Sequence, residues 1–187
     1  MAQIVVEKVT KKYTYADYCK ISDEKRYELI NGELLMTPSP ITIHQRISRK
    51  LGFVLEKFIT ENNLGELFDA PYDVYFDDEN VVQPDLLFIS KDRLHIIGEK
   101  NVQGAPDLVI EIISENSAYR DMVLKKKLYA KFGVKEYWIV IPEGEEIEIY
   151  TLKDYTYQLY KAYCKDSTFE SPLLKGLKIG LLDIFLM

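Results

Sequence analysis

Two short apolar runs in the middle of the chain each open on a Pro-Asp pair. Pro84-Asp85 leads into Leu86 to Ser90, and Pro106-Asp107 leads into Leu108 to Ser114. The second run carries Glu111 between Ile110 and Ile112. Alternation along a strand puts Asp107, Val109, Glu111 and Ile113 on one face. A carboxylate in such a run is costly unless it is paired or binds a cation. Glu111 therefore needs a basic side chain, a metal ion or an exposed sheet edge. Asp107 shares its face but stands four residues away, about 13 Å at roughly 3.3 Å each. That makes a shared metal improbable and places Asp107 at the strand mouth.

The segment 117–132 supplies a candidate cation. At about 100° per residue, Leu124, Leu128 and Phe132 form an apolar stripe with Asp121 at its centre, flanked by Lys125 and Tyr129. Lys126 and Lys127 turn toward solvent. Of three consecutive lysines, only Lys125 leans toward the strand that carries Glu111. Taken without the rest of the chain, an i,i+4 pair with Asp121, or an aliphatic stem lying along the helix edge, is the better account of it. Residues 118–135 hold six basic side chains, Arg120 and Lys135 among them, against the single acid Asp121. A second basic cluster, Arg46, Arg49 and Lys50, lies on an earlier helical segment. Two such clusters could flank a phosphate-binding groove, although charged helix faces are commonly just solvated. His44, beside the first helix's apolar stripe, fits a packing role or the orientation of a phosphate or water. Glu33 reads as a surface acid.

Several elements must position these groups. Residues 14–21 suggest a short helix capped by Thr14. Residues 27–36 enclose Asn31-Gly32, a strong hairpin signal, and Thr37 to Pro40 ends the second strand. Ile43, Ile47, Leu51, Val54, Leu55, Phe58 and Ile59 recur at helical spacing, predicting a helix over 43–60. Strands are expected at 66–76, 84–90 and 106–114, with 91–105 as a charged connection. A helix over 117–132, with Ser117 as cap and Gly133 as its left-handed end, leads to a strand at 136–141. A meander at 147–151 and 156–163 follows, and an apolar tail, 177–186, docks on the core. The class is α/β with a mixed sheet. The whole of 1–187 reads as one domain with an N-terminal extension over 1–22.

Composition narrows the functions. The 187 residues carry a net charge of -6, two histidines and two widely spaced cysteines. A multi-histidine metal centre, a disulfide framework and a structural zinc site are excluded. Any metal chemistry must use carboxylates. No apolar run approaches the roughly 20 residues needed to span a bilayer, and the N-terminus lacks signal-peptide features. The expectation is a cytoplasmic protein with no membrane partner. The acidic balance argues against indiscriminate coating of nucleic acid but allows a local basic face.

Taken in order, these motifs resemble the PD-(D/E)XK nuclease fold and, more narrowly, the Uma2 (DUF820) family of restriction-endonuclease-like proteins. The matching stretches are Tyr27 to Glu33, Pro40 to His44, Val82 to Asp85, Ala105 to Ser114, Lys125 with Tyr129, and Gly133 to Trp138. The resemblance covers roughly 23–165. It implies an αβββαβ core, with the N-terminal hairpin and C-terminal strands as additions. It further implies that Asp85 and Glu111 are ligands to Mg²⁺ or Mn²⁺. The family's lysine belongs two residues after the glutamate, where Ile113 stands, and Lys125 is the migrated replacement. Glu33, His44, Asp107 and Asp121 become supporting residues, and Arg46, Arg49, Lys50, Lys126 and Lys127 nucleic-acid contacts. The implied activity is metal-dependent endonucleolytic hydrolysis of nucleic acid, with DNA as the expected substrate. The alternatives are a catalytically silent relative that binds nucleic acid or protein, and an oligomeric scaffold. The apolar run Leu177 to Met187 and the two-fold logic of duplex-cutting enzymes point to a homodimer.

Overall fold

A computed structural model of the chain describes residues 11–114 and 117–186. Thr14 caps the short helix α1 (Tyr15–Tyr18) in a reciprocal box with Asp17. The hairpin of β1 (Arg26–Ile30) and β2 (Glu33–Thr37) closes at Asn31 and Gly32, whose φ values of 53° and 78° are the left-handed pair a two-residue turn requires. Its register sets Glu28 opposite Leu35 and Ile30 opposite Glu33. Helix α2 (Thr42–Glu61) buries Ile47, Leu51, Leu55 and Ile59, the stripe expected from spacing.

The stretch 66–76 forms two strands rather than one. Strands β3 (Gly65–Asp69) and β4 (Asp73–Asp77) lie in different sheets. Pro71, with no N–H to give a ladder, stands between them. Then come β5 (Asn80–Val82), β6 (Leu86–Ser90) and a 3₁₀ turn over Lys91–Ile96. The supposed connection 91–105 also holds a strand, β7 (Asn101–Gln103), before β8 (Leu108–Ile112). The helix after β8 is π-helical over Arg120–Lys125 and α-helical in α3 (Lys126–Phe132), ending at Gly133 with φ 89°. Ser117 does not cap it. The Ser117 hydroxyl instead accepts from the Ser114 backbone N–H at 3.0 Å. Strands β9 (Glu136–Ile141), β10 (Glu146–Lys153), β11 (Thr156–Cys164), β12 (Thr168–Glu170) and β13 (Lys178–Gly180) precede α4 (Leu181–Phe185).

The larger sheet runs β11-β10-β9-β8-β6-β3. Strands β8 and β9 are parallel, joined by the crossover through α3, and β6 pairs antiparallel with β8. Within it, α2, β3, β6, β8, α3 and β9 make the expected αβββαβ core. The smaller sheet, β2-β1-β5-β4-β7, was not foreseen as a unit. It turns the N-terminal hairpin and the inserted strands into a second layer.

Alternation sorts the core into two clusters. Leu86, Leu108, Ile110, Ile112 and Trp138 pack against α2 and the C-terminal segment. Leu87, Val109, Tyr137 and Ile139 face α3 and the smaller sheet. Glu111, by parity, emerges into the second layer. Leu177, Ile179, Leu181, Ile184 and Phe185 are buried in the chain's own core. The tail docks as expected, which removes it as a motive for a homodimer. Met187 and residues 1–10 lie outside the described residues. Among the described residues, no helix is long and apolar enough to cross a membrane.

Asp107, fully buried, does not join Glu111. Its Oδ1 pairs with Arg93 at 3.0 Å and Lys135 at 2.7 Å, and its Oδ2 accepts from the Ser90 N–H at 2.8 Å. These contacts clamp β6 to β8 at the end away from Glu111. Burial pushes the Asp107 carboxyl up, but Lys135, Ser90 and Arg93 outweigh burial and hold it below the ordinary 3.8. Its stabilisation is therefore complete above the ordinary value and is lost as pH falls through the depressed one. Asp107→Ala is expected to cost about 2–3 kcal/mol at pH 7, less than a sealed pair because Arg93 and Lys135 reach solvent. Urea denaturation of both proteins checks this: the gap between them should shrink as pH is lowered toward 3.

Candidate active site

Asp85 and Glu111 meet across the β6–β8 ladder. Leu86 pairs with Ile110, and one further antiparallel step sets Asp85 opposite Glu111. Such partners stand about 5 Å apart at Cα. The Asp85 Oδ2 accepts from the Ile112 backbone N–H at 2.7 Å and from His44 Nε2 at 3.0 Å. His44 thus ties the first turn of α2 to the end of β6, while its Nδ1 is buried without a hydrogen bond.

Glu111 is 3% exposed. Its Oε1 accepts from Lys125 Nζ at 2.8 Å and from the Tyr129 hydroxyl at 2.6 Å. Burial drives its carboxyl well above the ordinary carboxylate range against the pull of Lys125, and Asp121, Asp85 and Glu28 add to the rise. Burial also works against the Lys125 charge, but Glu111, Glu28 and Asp121 outweigh it and raise the ammonium's pKa above its already high value. Asp121 is raised by burial, with Lys125 opposing.

Helix geometry explains why Lys125 arrives and its neighbours do not. Asp121 and Lys125 are buried in the π-helical turn, whose backbone bonds reach five residues back. They lie 3.7 Å apart, so the i,i+4 pair exists, but it is the weakest of the lysine's contacts. Lys126 lies on the opposite side with its Nζ over the Tyr150 ring, 3.2 Å from the centroid. Lys127 is exposed, and both line a groove beside Tyr155 and Tyr157, away from Glu111.

The residue that sequence reasoning missed is Glu28. It is 1% exposed, and its Oε1 lies 2.6 Å from Lys125 Nζ, the shortest of the lysine's contacts. The same oxygen accepts from the Gln83 N–H at 2.9 Å, and Oε2 lies 3.4 Å from Arg120 Nε. Glu33, named in its place, is exposed at the far side of the hairpin turn. The signal was available: with Asn31-Gly32 as a two-residue turn, Glu28 shares its face with Ile30 and faces Leu35. Arg120, noted only as part of a basic run, also enters the site, 3.5 Å from Asp121 Oδ1.

His44, Asp85, Glu111, Arg120, Asp121 and Lys125 line a polar cleft of about 110 Å³ with Arg26, Gln83, Ser114 and Ser117 at its walls. Arg46 and Arg49 line a separate groove of about 620 Å³ between α2 and β3 that begins beside the cleft, at Thr42 and Leu86. Lys50 has another use: its ammonium donates to the carbonyls of Asp183 and Leu186, closing the end of α4.

A family model described as "Putative restriction endonuclease", Uma2, matches residues 13–183. The chain belongs to the Uma2 family. Its fold is similar to the crystal structure of a protein from Anabaena variabilis described as a putative nuclease belonging to DUF820. The TM-score is 0.76 at 18% identity, over 92% of this chain and 97% of that one. At that identity the likeness speaks for the fold. No curated protein matches the chain.

The donor set can be tested for a divalent cation. Four carboxylates, Glu28, Asp85, Glu111 and Asp121, meet three cations, Lys125, Arg120 and, at the cleft wall, Arg26, which leaves one negative charge in excess. Hard oxygen ligands in that excess suit Mg²⁺ or Mn²⁺, which commonly use one or two carboxylates and complete their shell with water and phosphate oxygens. Among the described residues, no three His, Cys, Asp or Glu residues are arranged to hold a metal by themselves. A site on Asp85 and Glu111 would therefore be an open one.

The lysine's surroundings change the expected cost of removing it. Lys125→Ala leaves buried carboxylates uncompensated and is expected to lower stability by about 3–5 kcal/mol, not the few tenths of an exposed i,i+4 pair. Lys126→Ala loses a cation–π contact and should cost about 1 kcal/mol. Urea midpoints of the two variants measured side by side check the difference.

Proposed function

We propose that the chain is a divalent-metal-dependent endonuclease acting on DNA, with Asp85 and Glu111 as ligands to Mg²⁺ or Mn²⁺ and Lys125 as the migrated lysine. The observation that carries this reading is the 2.8 Å contact between Lys125 Nζ and Glu111, made on the residue that the Asp85 ladder step faces. Hydrolysis joins a water oxygen to phosphorus and breaks the bond to the leaving sugar oxygen, which departs with a proton. Asp85 and Glu111 would hold a metal that neutralises charge on the phosphate and makes the attacking water more acidic. Lys125 adds a fixed positive charge where negative charge develops on the phosphate. His44 and the Ile112 N–H hold the Asp85 carboxylate in place, and the Tyr129 hydroxyl does the same for Glu111. Arg46 and Arg49, which line the groove between α2 and β3, would meet backbone phosphates.

A nuclease assay on supercoiled, linear and single-stranded DNA and on RNA, with and without Mg²⁺, tests the reading. DNA cutting that requires the metal is expected, with a loss of at least about 100-fold in Asp85→Asn and Glu111→Gln, each factor of ten being about 1.36 kcal/mol of barrier. Cutting of RNA alone would change the substrate class. DNA binding without turnover in any metal would favour the silent, binding-only relative.

A further inference from the structure

The contacts of Lys125 bear on how many metal ions the site can take. Its ammonium lies 2.6 Å from Glu28 Oε1, 2.8 Å from Glu111 Oε1 and 3.7 Å from Asp121 Oδ1. These are three carboxylates from three separate elements: β1, β8 and the π-helical turn. Each of the four residues is at most 3% exposed. Oxygen ligands gathered around one positive centre are what a hard divalent cation requires, at about 2.0–2.6 Å. Here the centre is a side chain of the protein.

Two further atoms show that this surrounding is richer in acid than one lysine needs. Glu28 Oε2 and Asp121 Oδ1 are both buried without a hydrogen bond. Arg120 Nε stands off from them at 3.4 and 3.5 Å and is itself without a hydrogen bond. A lone ammonium does not saturate the three carboxylates. A second divalent ion cannot join it there, because Lys125 already fills the centre and like charges at such short range repel strongly in a sealed site.

We propose that Glu28, Glu111 and Asp121 form an anionic cage whose resident cation is the Lys125 ammonium, so that the site takes one divalent ion, at Asp85 and Glu111, and not two. The inference rests on the metal-dependent reading above and adds the stoichiometry. Glu28 is a positioning residue in this arrangement. It carries no ligand of its own and holds Lys125 against Glu111. Emptying the cage should create a metal site. Without the lysine, the three carboxylates keep Arg120 as their near cation, and a divalent ion that displaces the protons they take up would restore the balance the ammonium provides.

The test is Mn²⁺ titration of the full chain, with free Mn²⁺ followed by its electron paramagnetic resonance signal. The intact protein should bind one Mn²⁺, and Asp85→Asn should lose it. Lys125→Met should bind two, and the Lys125→Met/Glu28→Gln double variant should return to one. Two ions on the intact chain, or no second ion on Lys125→Met, would overturn the cage. No ion on the intact chain would instead sink the metal-dependent reading itself. Should Lys125→Met be unfolded in metal-free buffer, refolding with Mn²⁺ but not with NaCl of equal ionic strength supports the cage. Failure to refold with Mn²⁺ counts against it.

Discussion

An ionisable side chain in the middle of a buried strand is the constraint around which this protein is arranged. Strand β8 has core on both faces, and Glu111 interrupts its apolar run. Taking a carboxylate out of water costs several kcal/mol even after relaxation, so a strand with Glu111 at its centre is tenable only if other elements bring cations and donors to it. The helix after β8 does so with Lys125 and Tyr129. Delivering Lys125 alone would bury a cation against a single partner. Asp121 from the same helix and Glu28 from the smaller sheet then become part of the same balance. The smaller sheet is thus more than a cover for α3, since one of its strands carries a charge that helps balance the Lys125 ammonium beside Glu111.

The two ends of β8 show two different solutions to the same problem. Asp107 and Glu111 share a face four residues apart. At Asp107 the balance is complete: Arg93 and Lys135 reach in from solvent and the Ser90 N–H takes the other oxygen. One acid meets two partly exposed cations, and the carboxyl is held below its usual value. At Glu111 the acids outnumber the cations and the carboxyl is pushed up. A structural ion pair has no reason to leave that imbalance.

How much of this could be read in the sequence follows from the range of each interaction. Glu111 and Lys125 were legible because strand and helix periods are local: alternation isolates one acid in an apolar run, and a 100° step separates Lys125 from Lys126. The αβββαβ order was legible for the same reason. The smaller sheet was not, because β4 and β7 pair in parallel across two intervening strands and a 3₁₀ turn, and a three-residue strand such as β7 has too few positions to show a period. Glu28 was obscured by Glu33, which sits in the same motif and looks equally acidic. Only the hairpin register distinguishes them, turning Glu28 inward and leaving Glu33 at the turn. Lys50 shows the limit of reading charge runs. Its partners are backbone carbonyls at the far end of the chain, and no local pattern marks them.

The distribution of positive charge bears on how an acidic chain could meet a polyanion. With a net charge of -6, long-range attraction is weak or adverse, and any approach must rely on cations placed close to the cleft within a Debye length of about 10 Å at ordinary salt. The lysine run does not serve. Lys125 is sealed inside, Lys126 lies on the Tyr150 ring, and Lys127 faces the groove on the other side of the helix. The arginines do: Arg26 and Arg120 stand at the cleft, and Arg46 and Arg49 line the groove that opens beside it. Arginine keeps its charge at any working pH and meets phosphate through two parallel bonds. The most conspicuous basic tract in the sequence is therefore committed to the interior and to the far side, and the sparser arginines mark the face on which a phosphate backbone could come within reach of Glu111.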